Sequence, residues 1–164
     1  MLGSLVLAVG MLIPLLQVPA ATAAPTRDST CYSYSGGELK MARRVNRSRD
    51  HHSLRKYRLD PELSRAATVH SKVMQRRKTL FHTNDLGSKI TNWTLLGEAV
   101  VAGRSIKRMH RRLMESAVHR ALILHSGFEF FGVGIYRKGS GKRWVTIIFS
   151  AGGNPGTTFK MPSC

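Results

Sequence analysis

From Leu39 onward, apolar positions recur at helical spacing: Leu39, Ala42 and Val45, with Asn46 beside them, while Arg43, Arg44 and Arg47 fall on other faces. This predicts a first amphipathic helix that stops before the polar stretch 49–53. Asp60-Pro61-Glu62 then predicts a helix start: an acidic cap, a proline at the first helical position and a second carboxylate at the positive end of the dipole. That helix runs to about Lys78 with Leu63, Ala66, Ala67, His70, Val73 and Met74 as its apolar stripe. A third helix fits Ser105 to Ser116, with Ile106, Met109 and Leu113 inward, and a short fourth fits Ala117 to Leu124. The period then changes. Phe130 to Tyr136 and Trp144 to Phe149 are β-branched and aromatic runs joined by Lys138-Gly139-Ser140-Gly141, which predicts a β-hairpin. Gly132 and Gly134 inside the first run predict a bulge or a close backbone approach. Helices first and strands afterwards imply an α+β fold.

Ahead of this pattern, residues 1–24 carry no charge and hold an apolar run from Leu5 to Val18, followed by the small-residue segment Ala21-Thr22-Ala23. They read as a signal peptide. The alternative is a membrane anchor, but Pro14 and Pro19 interrupt a run already shorter than the roughly 20 residues that span a bilayer. Residues 25–37 read as a linker and 38–164 as one domain, so the mature chain is expected to be secreted and without a transmembrane segment. Two cysteines exist, Cys31 and Cys164. In an exported protein such a pair points to a disulfide joining the two ends, the alternative being two free or intermolecular thiols.

Charge adds a partner class without choosing within it. The chain has 26 Lys and Arg against 9 Asp and Glu, a net charge of +17. Such a field favours polyanions, whether nucleic acid, anionic lipid or acidic envelope polymers. The basic residues fall in separate groups, Arg43 to Arg49, Arg76 to Lys78 and Lys107 to Arg112, which suits solvated helix faces and non-specific binding. Aromatics make up 7% of the chain and are not interleaved with these groups, so no specific nucleic-acid partner is expected.

Several ordered motifs resemble those of the CAP superfamily (cysteine-rich secretory, antigen 5 and pathogenesis-related proteins), and in particular bacterial SCP-like domains. Asn46 with Arg49 matches an N-x-x-R pattern, and Asp60, Leu63, Ala66, Ala67, His70, Ser71 and Met74 match the helix that follows. Phe81-His82-Thr83-Asn84, Gly97-Glu98, Ser116 with His119-Arg120-Ala121, and Gly132-Val133-Gly134 continue the series in order. The resemblance covers roughly residues 38–150. It implies a three-layer α-β-α sandwich with a central, mostly antiparallel sheet.

It also implies a cleft. The family's His, Glu, Glu, His tetrad maps onto His82, Glu98 and His119, with Ser116 in the place of the second Glu. His82, His119 and Glu98 are thereby the expected ligands of zinc or another divalent cation. Ala99 and Leu122 stand where the family has Asn, Leu113 replaces a common Trp and Phe81 a Ser, which makes the site more apolar. His70 and His110 lie on apolar stripes and are expected to be core histidines bonded to backbone. His51, His52 and His125 read as surface residues.

The leading expectation is a secreted binding protein with a shallow His/Glu cleft, taking a divalent metal or a lipid-like ligand at the cell envelope. A metal-assisted hydrolase or two-histidine nuclease is the enzymatic alternative, although neither H-E-x-x-H nor G-x-S-x-G is present and no catalytic residue is assigned. A charge-driven polyanion-binding or antimicrobial protein is the third.

Overall fold

A computed structural model describes residues 32–152. The signal-peptide reading and the Cys31–Cys164 pairing lie outside the described residues.

Helix α1 spans Gly36–Asp50. Its start is a reciprocal capping box: Ser35 Oγ accepts from the Glu38 amide, and the Glu38 carboxylate accepts from the Ser35 amide at 2.8 Å. It ends later than its periodicity predicts, because Arg49 is not a solvent residue: only 1% of it is exposed. Helix α2, Pro61–Arg77, starts as expected, with Asp60 Oδ1 accepting from the amides of Glu62 at 2.7 Å and Leu63 at 3.1 Å. It stops at Lys78, whose backbone turns left-handed. Helices α3 (Ile106–Glu115) and α4 (Ala117–Leu124) are separated by Ser116 alone, held extended.

The hairpin strands are β3 (Phe130–Tyr136) and β4 (Arg143–Ala151). Two strands were not read from the sequence: β1 (Arg58–Leu59) and β2 (Leu95–Gly103). The sheet order is β1-β3-β4-β2, antiparallel except for the parallel β1–β3 pair. One sheet face packs on α1, α3 and α4 through Met41, Val45, Met109, Leu113, Ile123 and Phe131. The other packs on α2 through Leu63, Ala67 and Met74. The fold is therefore an α-β-α sandwich, as expected.

The glycines of β3 set how closely α2 lies on the sheet. A Cβ at Gly132 would stand 2.2 Å from the Leu63 carbonyl carbon, and one at Gly134 would stand 2.1 Å from the Thr68 nitrogen. Helix backbone rests directly on strand backbone there, which is the close approach predicted above.

Across the other face, Arg49 ties α1 to the end of α4. Its Nε donates to Arg55 O at 2.7 Å, and Nη1 donates to Ile123 O and His125 O at 2.9 Å each. The guanidinium lies 3.5 Å above the Tyr57 ring. Tyr57 is fixed in turn by Asn46, whose amide group bonds both its backbone N–H and C=O at 2.9 Å, and its hydroxyl donates to His125 O at 2.8 Å. Glu38 does similar work at the opposite end of α1, accepting from Tyr32 Oη at 2.9 Å and the Ile135 amide at 3.0 Å. Tyr32, from the segment read as linker, thus contacts the domain.

Two outcomes follow. Gly134→Ala should lower unfolding free energy by about 3 kcal/mol, because neither backbone can give way; urea titration giving less than about 1 kcal/mol would contradict the close approach. Arg49→Lys should cost about 2 kcal/mol by the same measurement, since an ammonium cannot reach three carbonyls at once. A cost below about 0.5 kcal/mol would remove the assigned role.

Candidate functional site

Glu98 sits in β2, opposite Ile148 of β4. Strand alternation places it with Val100, which packs on Met74 and Trp144, on the α2 side of the sheet. Its side chain is 5% exposed and both oxygens are engaged. Oε2 accepts from His82 Nδ1 and from the Thr83 amide, each at 2.8 Å, and Oε1 accepts from Thr83 Oγ1 at 2.5 Å. An ionised carboxylate only accepts, so Nδ1 of His82 carries a proton. In the neutral ring Nε2 then keeps its lone pair, and this side chain is 61% exposed.

His82 reaches this position because the chain turns after α2. His70, 7% exposed, bonds Phe81 O through Nε2 at 2.8 Å and meets the Phe81 ring edge-on, fixing the residue before His82. His70 is thus the backbone-bonded core histidine expected from its stripe. His110 departs from the same expectation: it is half-buried and bonds the Ser48 hydroxyl at 3.1 Å instead of backbone. Burial, and then the charge of Arg44, holds its pKa below the ordinary histidine value.

His119 belongs to α4, on the opposite helical layer. Its Nδ1 lies 2.9 Å from Ser116 Oγ. Ser116 precedes α4 in the capping position, but its hydroxyl bonds this ring and caps no backbone amide. Burial lowers the His119 pKa, and repulsion from His82 lowers it further. The four expected cleft residues therefore form two bonded pairs, His82–Glu98 and Ser116–His119, and the His119 ring feels the charge of His82. An open groove of about 500 Å³ at the first pair is lined by His82, Thr83, Trp93, Leu95, Gly97 and Glu98.

Among the described residues no three His, Cys, Asp or Glu side chains are grouped to hold a metal ion. Thr83 is the residue that sequence reasoning left without a role, although it stands beside His82 in the same motif. The positions where family Asn residues are replaced serve packing: Leu122 closes over Gly97, where an added Cβ would meet it at 2.7 Å, and Ala99 is fully buried.

The cysteine-rich secretory protein (CAP) family model matches residues 42–149, more than half of the chain. Among solved structures, an outer surface protein from Borrelia burgdorferi superposes with a TM-score of 0.66 at 13% identity, covering 73% of this chain and 96% of that one. An extracellular protein containing an SCP domain from Bacillus anthracis gives 0.62 at 25% identity, over 70% of this chain and 40% of the other. A cysteine-rich secretory protein from Staphylococcus aureus gives 0.58 at 16%, over 70% and 38%. The chain thus spans about two fifths of the length of the last two proteins. No curated protein sequence matches it.

Titration of the histidine ring protons by NMR should place His119 below about 6.5, the ordinary imidazole value. In His82→Ala the His119 pKa should rise but stay below that value, because the repulsion is removed and the burial is not. No change in that variant would show that the two rings are not neighbours.

Proposed function

This chain belongs to the cysteine-rich secretory protein (CAP) family, and from that premise we propose that it is an extracellular binding protein whose cleft takes a divalent cation, zinc being the best fit, between His82 and His119. The observation that carries this reading is the way both rings are held. Each uses Nδ1 for a partner inside the protein, Glu98 or Ser116, and so presents Nε2 as its remaining donor. A carboxylate or hydroxyl on the far nitrogen is the arrangement that orients a metal-binding imidazole and raises its basicity. Glu98, expected from the resemblance as a third ligand, is assigned here to orienting His82, since Thr83 and His82 occupy its oxygens.

The donor set suits zinc, which accepts imidazole nitrogen readily and completes four positions with water. When bound, the ion would supply a Lewis-acidic point for an anionic group of a ligand lying in the adjoining groove. The low His119 pKa favours this use, because a ring that stays neutral to lower pH remains a metal donor there. Extracellular location is supported by relatives described as extracellular or outer surface proteins. Among the described residues no helix is long and apolar enough to cross a membrane. A lipid-like ligand would have a separate place, a hollow of about 520 Å³ across the Thr83–Leu86 loop, lined by Ala66, Val69, Val73 and Ile148.

Isothermal titration with zinc chloride, on protein purified without chelator, tests the assignment. His82→Ala and His119→Ala should each weaken binding at least about tenfold, and Glu98→Gln by about tenfold through loss of orientation. Binding should also fall as pH drops below about 6, where protons compete for the rings. An unchanged zinc affinity in the double histidine variant would end the proposal.

A further inference from the structure

The structure assigns a second binding surface, remote in chemistry from the cleft: a cationic ridge over α1 and α3 that docks a linear anionic polysaccharide carrying sulfate or phosphate groups. In the sequence the basic residues fall in separate groups and read as dispersed. The fold brings two of those groups together. Ser48 of α1 bonds His110 of α3 at 3.1 Å, and Arg44, one turn before Ser48, is close enough to His110 to depress its pKa. On these two neighbouring helices α1 exposes Arg43 and Arg47, and α3 exposes Lys107, Arg108 and Arg111; Arg43 and Arg47 also line an open groove with Asp50 and Lys56. The third group, Arg76 to Lys78, ends α2 and lies on the opposite layer.

Among the described residues, acidic groups offset the ridge only in part. The carboxylates of these two helices are Glu38, which is 3% exposed and bonded inward, Asp50, paired with Lys56 at 3.3 Å, and Glu115, paired with Arg111 at 3.4 Å. Arg44 adds an unmet need: its Nε is buried and has no hydrogen-bond partner among the described residues. Clustered like charges repel one another, and a polyanion relieves that repulsion while releasing its own counterions. Most of these side chains are arginines, whose planar fork matches sulfate and phosphate oxygens two at a time.

The occupant follows from what the ridge lacks. The large exposed apolar side chains of the described residues are Val69, Leu80, Trp93, Leu95 and Val118, and none belongs to α1 or α3. A bilayer would therefore find no apolar anchor there. Nucleobases would find no aromatic platform. A polymer read through its charged groups alone needs neither.

The test is binding of a heparin fragment as a function of salt, with two variants that each remove three charges. The ridge variant is Arg43→Gln/Arg47→Gln/Arg108→Gln, and the control is Arg76→Gln/Lys78→Gln/Lys138→Gln. The ridge variant should weaken binding about tenfold or more and lower the slope of log affinity against log salt by about one for each cation that paired with a sulfate, whereas the control should change affinity less than about threefold. Equal weakening in the two variants would overturn the proposal in favour of dispersed charge. So would capture by phosphatidylglycerol vesicles, or by an oligonucleotide, with heparin left unbound. Thermal melting checks that both variants fold; if the ridge variant does not, Lys107→Gln/Arg108→Gln, which alters two exposed side chains, must still weaken heparin binding more than Arg76→Gln/Lys78→Gln does.

Discussion

A buried guanidinium bonded to backbone carbonyls holds the helical layer together. Arg49 is 1% exposed, burial lowers its pKa, and its donors go to the carbonyls of Arg55, Ile123 and His125 while Tyr57 covers its face. Helix α4 is eight residues long, too short to persist on its own. Its last turn is stabilised by a cation placed where the helix dipole is negative and where carbonyls lack partners inside the helix. The position of His119, three residues into α4, therefore depends on a residue at the end of α1 that touches no part of the cleft. The Asn46–Arg49 pattern is structural in this sense: Asn46 clamps Tyr57, and Tyr57 supports Arg49.

On the far side of the sheet, the glycines of β3 let α2 approach until backbone meets backbone. That packing fixes His70, which holds the Phe81 carbonyl and so directs the chain into His82. The proposed cleft thus draws on two layers. Glu98 and its partners come from the α2 side of β2, and His119 with Ser116 comes from α4, with Leu122 of α4 packed over Gly97 of the same strand. Because β2 lies at the edge of the sheet, elements from both layers can meet beside it.

Electrostatics links this site to the ridge only through a shared physical cause. His110 and His119 are both held below the ordinary histidine pKa, and in each case a nearby basic group, Arg44 or His82, adds to burial. Both causes favour the neutral form of these two rings. A neutral imidazole is the form that offers a lone pair, whereas an arginine side chain offers only donors.

Much of the fold was legible in the chain. The helix starts at Asp60 and Ser105, the stop near Lys78, the β3–β4 hairpin and the close approach at Gly132 and Gly134 are local signals written in cap residues, periodicity and missing side chains. Strand β2 was read only as apolar surroundings of Glu98, since glycine and alanine at 97, 99, 102 and 103 blur its alternation and its pairing partner lies about fifty residues away in β4. The burial of Arg49 and Glu38 was invisible for the same reason: a charged residue on a helix is ordinarily solvated, and only carbonyls and amides supplied by distant segments make its burial tolerable. The family motifs put His82, Glu98, Ser116 and His119 in view. Tertiary structure decided that they stand as two bonded pairs, and that helices α1 and α3, whose basic groups lie some sixty residues apart in the chain, are neighbours, because both outcomes depend on which helices share a layer.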